Sequence, residues 1–266
     1  MKISLQVCAL ASGSSGNAIY IGSSSQEVLI DVGLSGKELK RRLKKIDRRV
    51  EDIDALFLTH EHSDHIKGAG VVARECQIPI YASQGTWVEA KEKLGKLNPE
   101  QKKIISTKEL TVGNLGIKPF SIPHDACEPV GYSVVCEGVE VAIATDMGEI
   151  DSGVKNKITD SDLVVLESNH DLEMLKIGPY PWSVKKRIMS SEGHLSNDEA
   201  ADLAVELGQK GVRRILLAHL SQDNNIPELA FLTIKNMLVE AGLEVGKDVQ
   251  LDFAYQEEVS KVYQLG

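Results

Sequence analysis

Seven residues that follow a short apolar segment constrain this chain more than any other part of its sequence. Residues 59–65 read THEHSDH, and five of these seven side chains can bind a metal ion or carry a proton. The apolar residues 55–58 come directly before them and predict a buried strand. The sequence therefore predicts a cluster of metal ligands at the carboxyl end of a strand.

The spacing within this cluster favours two metal ions over one. His60 and His62 alternate at the strand end, so both imidazoles can reach one ion. Asp64 and His65 follow after one residue, point elsewhere and suit a second ion nearby. Four side chains within six residues do not easily serve one tetrahedral metal, and a pair of ions with a shared bridge needs further ligands. The alternative is an ordinary solvated loop.

Three polar residues elsewhere also follow predicted apolar strands. They are His124, Asp146 and His219. Residues at such positions can converge on one rim of a sheet, so we expect these three to complete the ligand set. Each by itself is also compatible with a hydrogen-bonded loop residue. A His-rich set of nitrogen and oxygen ligands suits Zn, Mn or Fe(II), and the sequence does not choose among these metals.

The order of these ligands resembles that of the metallo-β-lactamase-fold hydrolases. HxHxDH follows a strand, the three later ligands come in the same order, and residues 29–33, LIDVG, resemble the segment that precedes the motif. The resemblance implies an α/β fold, a four-layer αββα sandwich with the site at the sheet edges. We expect residues 1–266 to form a single domain whose two sheet halves meet near residue 125.

The same resemblance implies a role for each ligand. One metal ion would be held by His60, His62 and His124, the second by Asp64, His65 and His219, and Asp146 would bridge the two. A water between two divalent ions loses a proton near neutral pH and becomes a hydroxide nucleophile. Asp64 can orient that hydroxide, which makes it a candidate catalytic residue. Asp31 and Glu61 are candidate acceptors for the second N–H of a ligand imidazole, although Asp31 is equally compatible with a structural role.

Further residues address the substrate. The loop ASGSSGN, with Ser15 and Asn17, offers backbone N–H groups that can cradle an anion, or it is an ordinary turn. His170 ends an apolar strand, as a substrate-binding or a structural histidine does. His194 lies between a glycine and the predicted helix N-cap Ser196. It is placed to donate to a phosphate or protonate a leaving group, or else to fix the turn.

Two cations precede that histidine. Lys186 and Arg187 lie close enough in sequence to line a phosphate path, and a solvated helix face is the alternative. The motifs ASGSSGN, HDACEPVGY, ESNHD, GPYP and GHLSN together resemble the bacterial YycJ/WalJ group. This resemblance implies a metal-dependent nuclease, a 5′→3′ exonuclease on double-stranded DNA, with DNA a better substrate than RNA. By similarity to related tRNA 3′-end endonucleases, it makes His194 the group that protonates the leaving oxygen.

The bulk composition limits the alternatives. The formal net charge of −9 argues against a protein held to nucleic acid by bulk charge, and the basic run 37–49 reads as the solvated face of an amphipathic helix. Four dispersed cysteines favour reduced thiols and a cytoplasmic protein. No apolar run approaches the roughly 18 residues of a membrane helix. A glyoxalase II-like thioesterase, a lactamase, an RNA-processing nuclease and a non-enzymatic regulator remain open.

Overall fold

The computed structural model describes residues 4–266, which divide into two compact units. The first unit contains the residues up to Pro119, together with Ala126–Val139 and Ala254–Gly266. The second contains Phe120–Asp125 and Glu140–Phe253. The strands belong to two mixed sheets of seven strands each. Mixed sheets accompanied by helices confirm the predicted α/β class.

The helices and strands have the following bounds. The strands are β1 (Leu5–Ala11), β2 (Ala18–Gly22), β3 (Glu27–Ile30), β4 (Ala55–Phe57), β5 (Ile80–Ala82), β6 (Lys102–Ile104), β7 (Leu110–Val112), β8 (Leu115–Ser121), β9 (Val130–Cys136), β10 (Val139–Ala144), β11 (Leu163–Glu167), β12 (Arg214–Ala218), β13 (Gln250–Phe253) and β14 (Tyr263–Leu265). The helices are α1 (Gly36–Lys44), α2 (Ser63–Ile66), α3 (Ala69–Cys76), α4 (Gln84–Leu94), α5 (Ser152–Ile158), α6 (Leu172–Ile177), α7 (Trp182–Ile188), α8 (Asn197–Lys210) and α9 (Pro227–Glu240).

The sheet of the first unit has the strand order β14-β1-β2-β3-β4-β5-β6. Strands β14 to β3 pair antiparallel, and β3 to β6 pair parallel, with Ile30 opposite Phe57. Parallel strands bring their carboxyl ends to one edge of a sheet. The residues that follow β3 and β4, Asp31 and the segment 59–65, are therefore neighbours at that edge.

Helix α1 shows why the basic run of residues 37–49 is a helix face. Ser35 caps its N-terminus, as predicted, and accepts a hydrogen bond from the N–H of Glu38. Leu39 and Leu43 are buried in the core. Arg42 is also buried, and its Nη1 donates to the carbonyls of Leu10 and Gln256. One cation of this run therefore holds the fold together rather than facing solvent.

Strands β7 and β9 and most of β8 also belong to the first unit, and they lie in the order β9-β8-β7. The hairpin predicted around residues 113–114 is confirmed, because β7 and β8 pair antiparallel with Val112 opposite Leu115. Gly113 adopts a left-handed φ of 56°, which glycine reaches without steric cost.

The second unit has four neighbouring strands in the order β13-β12-β11-β10, and all of their pairings are parallel. Helices α8 and α9 bury Leu203, Leu207, Ile234 and Leu238 in its hydrophobic core. Because the strands are parallel, the residues that follow β10, β11 and β12 meet at one sheet edge. Asp146 and His219, two of the predicted ligands, lie at this edge.

The differences from the sequence-based expectations lie in short elements. The strand predicted from residue 3 begins at Leu5, and residue 3 lies outside the described residues. The helix predicted from residue 86 begins at Gln84, because Ser83 caps it. Helices α2, α5, α6 and α7 and strands β6 and β14 were not predicted, since three to seven residues carry little periodicity.

The cysteines and the lengths of the helices bear on the expected cellular compartment. The four cysteines, Cys8, Cys76, Cys127 and Cys136, form no disulfide within residues 4–266. Within residues 4–266, no helix combines the length and apolar character that crossing a membrane requires.

Candidate metal site

In the first unit, Asp31 organises the residues of the histidine-rich segment. Its buried carboxylate accepts hydrogen bonds from the N–H of Thr59 (2.9 Å), the hydroxyl of Thr59 (2.8 Å) and Nδ1 of His65 (2.7 Å). Burial raises the pKa of Asp31 above its ordinary value, while the charge of His65 and these hydrogen bonds oppose that rise. Asp31 thus ties the strand end to one of the predicted ligands, the orienting contact that the sequence suggested for it.

The bond to Asp31 fixes which nitrogen of His65 is available. A carboxylate only accepts, so Nδ1 of His65 is the donor and Nε2 carries the lone pair. Nε2 lies 3.0 Å from the amide nitrogen of Asn17, which can donate to it, and 3.3 Å from Oδ2 of Asp64. The His60 ring is 4.0 Å from that of His65, centroid to centroid. Ligand imidazoles commonly carry such a carboxylate partner on the second nitrogen.

Two close approaches of the backbone shape this segment. The carbonyl of Asp64 accepts a hydrogen bond from the N–H of Asn17 (2.7 Å). A Cβ at Gly33 would lie only 1.6 Å from that carbonyl oxygen, so no larger residue fits without moving the chain. The glycine of the LIDVG segment is therefore required because Asp64 packs against its backbone.

The other suspected orienting residue of the first unit has a different role. Oε1 of Glu61 accepts the N–H of Cys127 (2.8 Å), and its carbonyl accepts a hydrogen bond from Nζ of Lys93 (3.0 Å). Glu61 thus anchors the loop at Cys127, and the expectation that it orients a ligand imidazole finds no contact in its favour.

In the second unit, four side chains lie close enough to hold an ion. They are Asp146, Glu167, His194 and His219, each of which offers a ligand atom within 4.8 Å of those of the others. Asp146 follows β10 and His219 follows β12, as predicted from the sequence. Nε2 of His219 is 3.4 Å from Oδ1 of Asp146. The parallel strands thus bring together ligands that are 73 residues apart in sequence.

Glu167 is the residue that the sequence analysis missed. Its Oε1 accepts hydrogen bonds from Nδ1 of His194 (2.8 Å) and from Nδ1 of His219 (2.9 Å), and Oε2 accepts the N–H of Met147 (2.7 Å). Burial alone would raise the pKa of Glu167, but the charge of His194 and the bonds from both histidines outweigh it and lower that pKa to about 2. The available signal was a carboxylate at the end of the otherwise apolar strand LVVLE.

His124 is the remaining predicted ligand of the second unit. Its Nδ1 lies 3.2 Å from the carbonyl of Gly193, and its Nε2 is 3.4 Å from Oδ1 of Asp125. Its ring centroid is 5.2 Å from that of His194. Burial lowers the pKa of His124, and the neighbouring charge of His194 lowers it further against the opposing effect of Asp146. A neutral imidazole is the form that binds a metal.

Three of the six non-glycine residues with a left-handed φ in the described chain lie at these strand ends. Asp31, Asp146 and His219 adopt left-handed φ angles of 61°, 60° and 56°. Non-glycine residues rarely occupy this region, and Asp and His are among those that reach it most readily. Each of the three follows a buried strand, and the sharp turn redirects the chain where the polar side chain is needed. Such strain is typical of functional sites.

Three N–H groups of the Ser/Gly loop bond within the protein. The N–H of Gly13 donates to Oδ1 of Asn17, that of Gly16 to the carbonyl of Gly13, and that of Ser15 to Oε1 of Gln256. These bonds favour the structural-turn alternative over the anion cradle, and the Ser15 side chain is exposed. Asn17 lies beside Asp64 and His65 rather than at the tip of the loop.

The remaining predicted substrate residues differ in their surroundings. Ser196 caps α8, and its hydroxyl both accepts from the N–H of Glu199 (3.2 Å) and donates to Oε2 of the same residue (2.7 Å). Ser196 is thus the predicted N-cap, and these contacts form a capping box. His170 is buried, neither ring nitrogen has a hydrogen-bond partner among residues 4–266, and burial lowers its pKa to about 4. Lys186 and Arg187 are exposed on α7.

The donor sets suit a transition metal. Each unit places buried imidazoles beside carboxylates, and in each unit a carboxylate accepts Nδ1–H of a predicted ligand, which leaves its Nε2 as the coordinating atom. Hard ions such as Mg²⁺ and Ca²⁺ prefer oxygen ligands alone, whereas imidazole with carboxylate suits Zn, Mn or Fe. The residues present therefore fit the metal chemistry that the sequence predicted.

Comparison with known proteins agrees with this geometry. Residues 26–220 match the family model described as a β-lactamase superfamily domain. Exodeoxyribonuclease YycJ of Bacillus anthracis is 40% identical over 93% of this chain and 94% of its own length. Exodeoxyribonuclease WalJ of Streptococcus pneumoniae is also 40% identical, over 94% of each chain. The metallo-β-lactamase fold protein YhfI of Bacillus subtilis superposes with a TM-score of 0.72 at 19% identity, covering 97% of this chain and 99% of its own. The predicted sandwich fold is confirmed.

Proposed function

This chain belongs to the β-lactamase superfamily, and we propose that it is a metal-dependent exonuclease on double-stranded DNA. The exodeoxyribonucleases YycJ and WalJ, which match it over nearly their whole length, support the proposal. A 5′→3′ direction is part of the proposal, and the relatives' names support DNA over RNA. The free thiols support a place in the reducing cytoplasm.

The pair Glu167–His194 carries this proposal. The predicted ligands His60, His65 and His219 are buried, whereas the His194 side chain is 17% exposed and can meet a substrate. Glu167 accepts its Nδ1–H, which fixes the ring and leaves Nε2 to face a reacting group. An alkoxide leaving group of a phosphodiester needs such a proton donor, and a positioned histidine is the usual one.

Our proposed ligand assignment follows the resemblance. One ion would be held by His60, His62 and His124 and the other by Asp64, His65 and His219, and Asp146 would serve both. When bound, two ions of Zn, Mn or Fe supply an activated water and stabilise the charge that develops on the phosphate. Asp31 and Glu167 hold the rings of His65 and His219 in the tautomer that binds metal.

The reaction assigns one step to each catalytic residue. Asp64 orients the attacking oxygen toward the phosphorus atom, where a new P–O bond forms. The P–O bond to the adjoining nucleotide breaks in line with that attack. His194 gives its Nε2 proton to the departing oxygen, which leaves as a hydroxyl, and water restores the proton. Exclusion of bulk water by the buried ligands strengthens each of these electrostatic contacts.

The test is a nuclease assay on duplex DNA, single-stranded DNA and RNA labelled at either end, with Mn, Zn and Mg supplied separately. We expect short products to be released from the 5′ ends of the duplex, and covalently closed circular duplex to stay intact. Turnover of a thioester or a β-lactam with all nucleic acids left whole would replace this function with a small-molecule hydrolase. Preferential cleavage of RNA would replace the substrate alone.

A further inference from the structure

Helices α6 and α7 carry an exposed surface that the proposed reaction does not use. We define the α6–α7 surface by Ile177, Trp182, Lys186 and Arg187. Ile177 is 83% exposed and Trp182 is 57% exposed. Residues 172–190 hold four Lys or Arg side chains and one carboxylate, in a chain whose formal net charge is −9. This surface is therefore both apolar and locally basic.

The cations of this helix do not all serve the same purpose. Lys185 is buried, and its Nζ donates to the carbonyls of Lys176 and Gly178 (2.7 Å each), so it closes the end of α6. Lys186 instead lies with its Nζ 5.9 Å from the centroid of the Trp182 ring, one helical turn earlier. Lys185 therefore has a structural role, whereas Lys186 lies beside an exposed indole.

The α6–α7 surface is tied directly to the residues of the proposed reaction. The carbonyl of Ile188, at the end of α7, accepts the N–H of His194 (2.9 Å). Arg187 pairs with Asp125 (3.3 Å), whose other oxygen is 3.4 Å from His124. Trp182 and Ile188 are the two ends of a seven-residue helix, so they lie about 9 Å apart along its axis. That length spans two to three stacked nucleotides at about 3.4 Å each.

We propose that Trp182 is a stacking platform for an unpaired base of the nucleic-acid strand, with Lys186 beside it for the adjacent phosphate. The inference rests on the proposed nuclease function and adds how a strand is held near His194. Indole faces stack on any base, and an adjoining cation compensates the backbone charge. The local excess of positive charge fits a polyanion better than an uncharged apolar partner.

The two tryptophans of the chain allow this contact to be observed directly. Trp87 is only 9% exposed and donates its indole N–H to the carbonyl of Lys103, so it should not report on a surface ligand. Trp87→Phe leaves Trp182 as the single fluorophore, and Trp182→Phe leaves Trp87. Chelator-treated protein, which cannot cleave, is titrated with a short oligothymidylate. We expect strong quenching in Trp87→Phe and none in Trp182→Phe, and an unresponsive Trp87→Phe variant overturns the proposal.

Affinity measurements separate stacking from charge. Trp182→Ala should weaken oligothymidylate binding about tenfold or more, since losing one stacked base typically has that effect, and Trp182→Phe should retain most of the affinity. Lys186→Ala should weaken binding and reduce its salt dependence. Lys235→Ala is the matched control, because its Nζ lies 6.0 Å from the Phe231 ring in a similar arrangement on α9. Equal affinity of Trp182→Ala and wild type contradicts the proposal.

These experiments distinguish failure of the stacking platform from failure of the proposed nuclease function. If wild type degrades DNA and Trp182→Ala binds and degrades it equally well, the platform is wrong and the nuclease assignment stands. If wild type neither binds nor cleaves any nucleic acid, the nuclease assignment itself fails. Quenching by oligothymidylate without any cleavage by metal-loaded protein supports the platform and removes the reaction.

Discussion

The two units carry their candidate ligands in opposite ways. In the first, the predicted ligands come from one run of six residues after β4, with Asp31 behind them. In the second, they come from the ends of separate strands, and Glu167 links two of the rings. The candidate ligands of the first unit are neighbours in sequence, whereas those of the second unit come together only when the chain folds.

This difference determines how substitutions should act. A change in the run of residues 60–65 removes a ligand without altering the strand order. A change at Glu167 removes a single buried carboxylate to which two histidines donate, so it should disturb the orientation of both rings. Comparing equivalent changes in the two units shows whether both halves serve one reaction.

Loss of a ligand from either unit should have the largest effect. We expect His62→Ala in the first unit and His219→Ala in the second to lower kcat on duplex DNA by about 1000-fold or more each, because several kcal/mol of transition-state stabilisation depends on the metals. End-labelled substrate measures the rate, and elemental analysis measures bound metal. Normal activity in one of the two variants would show that only one half takes part in the reaction.

Removal of the orienting carboxylates should have the next largest effect. Asp31→Asn changes the partner of one predicted ligand and should lower activity about 10- to 100-fold, the usual range for such a contact. Glu167→Gln changes the partner of two histidines and should cost about 100-fold or more.

Glu173→Gln is the control for this pair, since that carboxylate is exposed and pairs with Lys176 on the same helix. It should leave the rate unchanged. An equal loss in Asp31→Asn and Glu167→Gln would argue against a shared role for Glu167.

A glycine pair tests the local packing of the first unit. Gly33→Ala drives a Cβ into the carbonyl of Asp64, and we expect the free energy of unfolding to fall by about 3 kcal/mol. Gly36→Ala is the control, because its Cβ would meet Val71 at an ordinary 3.7 Å. Urea unfolding of both variants measures the difference. Equal stability of the two would show that the 59–65 segment moves freely to accommodate a methyl group.

The buried His170 gives the smallest effect, seen in the pH dependence of stability. Its pKa is about 4 in the folded protein against an ordinary value of 6.5, so the unfolded chain binds a proton first as pH falls. The contribution is complete above pH 6.5 and declines toward pH 4. Between about pH 7 and about pH 5, wild type should lose about 2 kcal/mol more than His170→Gln. Parallel stability curves would remove His170 from this account.

The fold class was predicted correctly from the sequence, and the candidate ligands His124, Asp146 and His219 follow strands as expected, for a physical reason. The run HxHxDH and the strand-end residues His124, Asp146 and His219 are polar interruptions of apolar strands, and that contrast is visible in a single chain. Glu167 carried a weaker signal, because it belongs to the strand itself and its partners His194 and His219 are 27 and 52 residues away. Only tertiary structure identifies such a contact.

Two residues with alternative roles show a second limit of the sequence. Ser15 and Ser196 are small polar residues in turns, where substrate binding and capping call for the same residue types. The contacts with Gln256 and Glu199 favour the structural role, and neither contact is visible from spacing alone.

The most direct test of the central claim is a metal titration of the intact protein. Chelated protein is reconstituted with Mn or Zn in steps, and bound metal per chain and the rate of degradation of 5′-labelled linear duplex DNA are measured on the same samples. The account predicts no degradation without metal and full activity only when two ions are bound per chain. Degradation that persists in fully chelated protein, or that is absent at two bound ions with every metal tried, would contradict it.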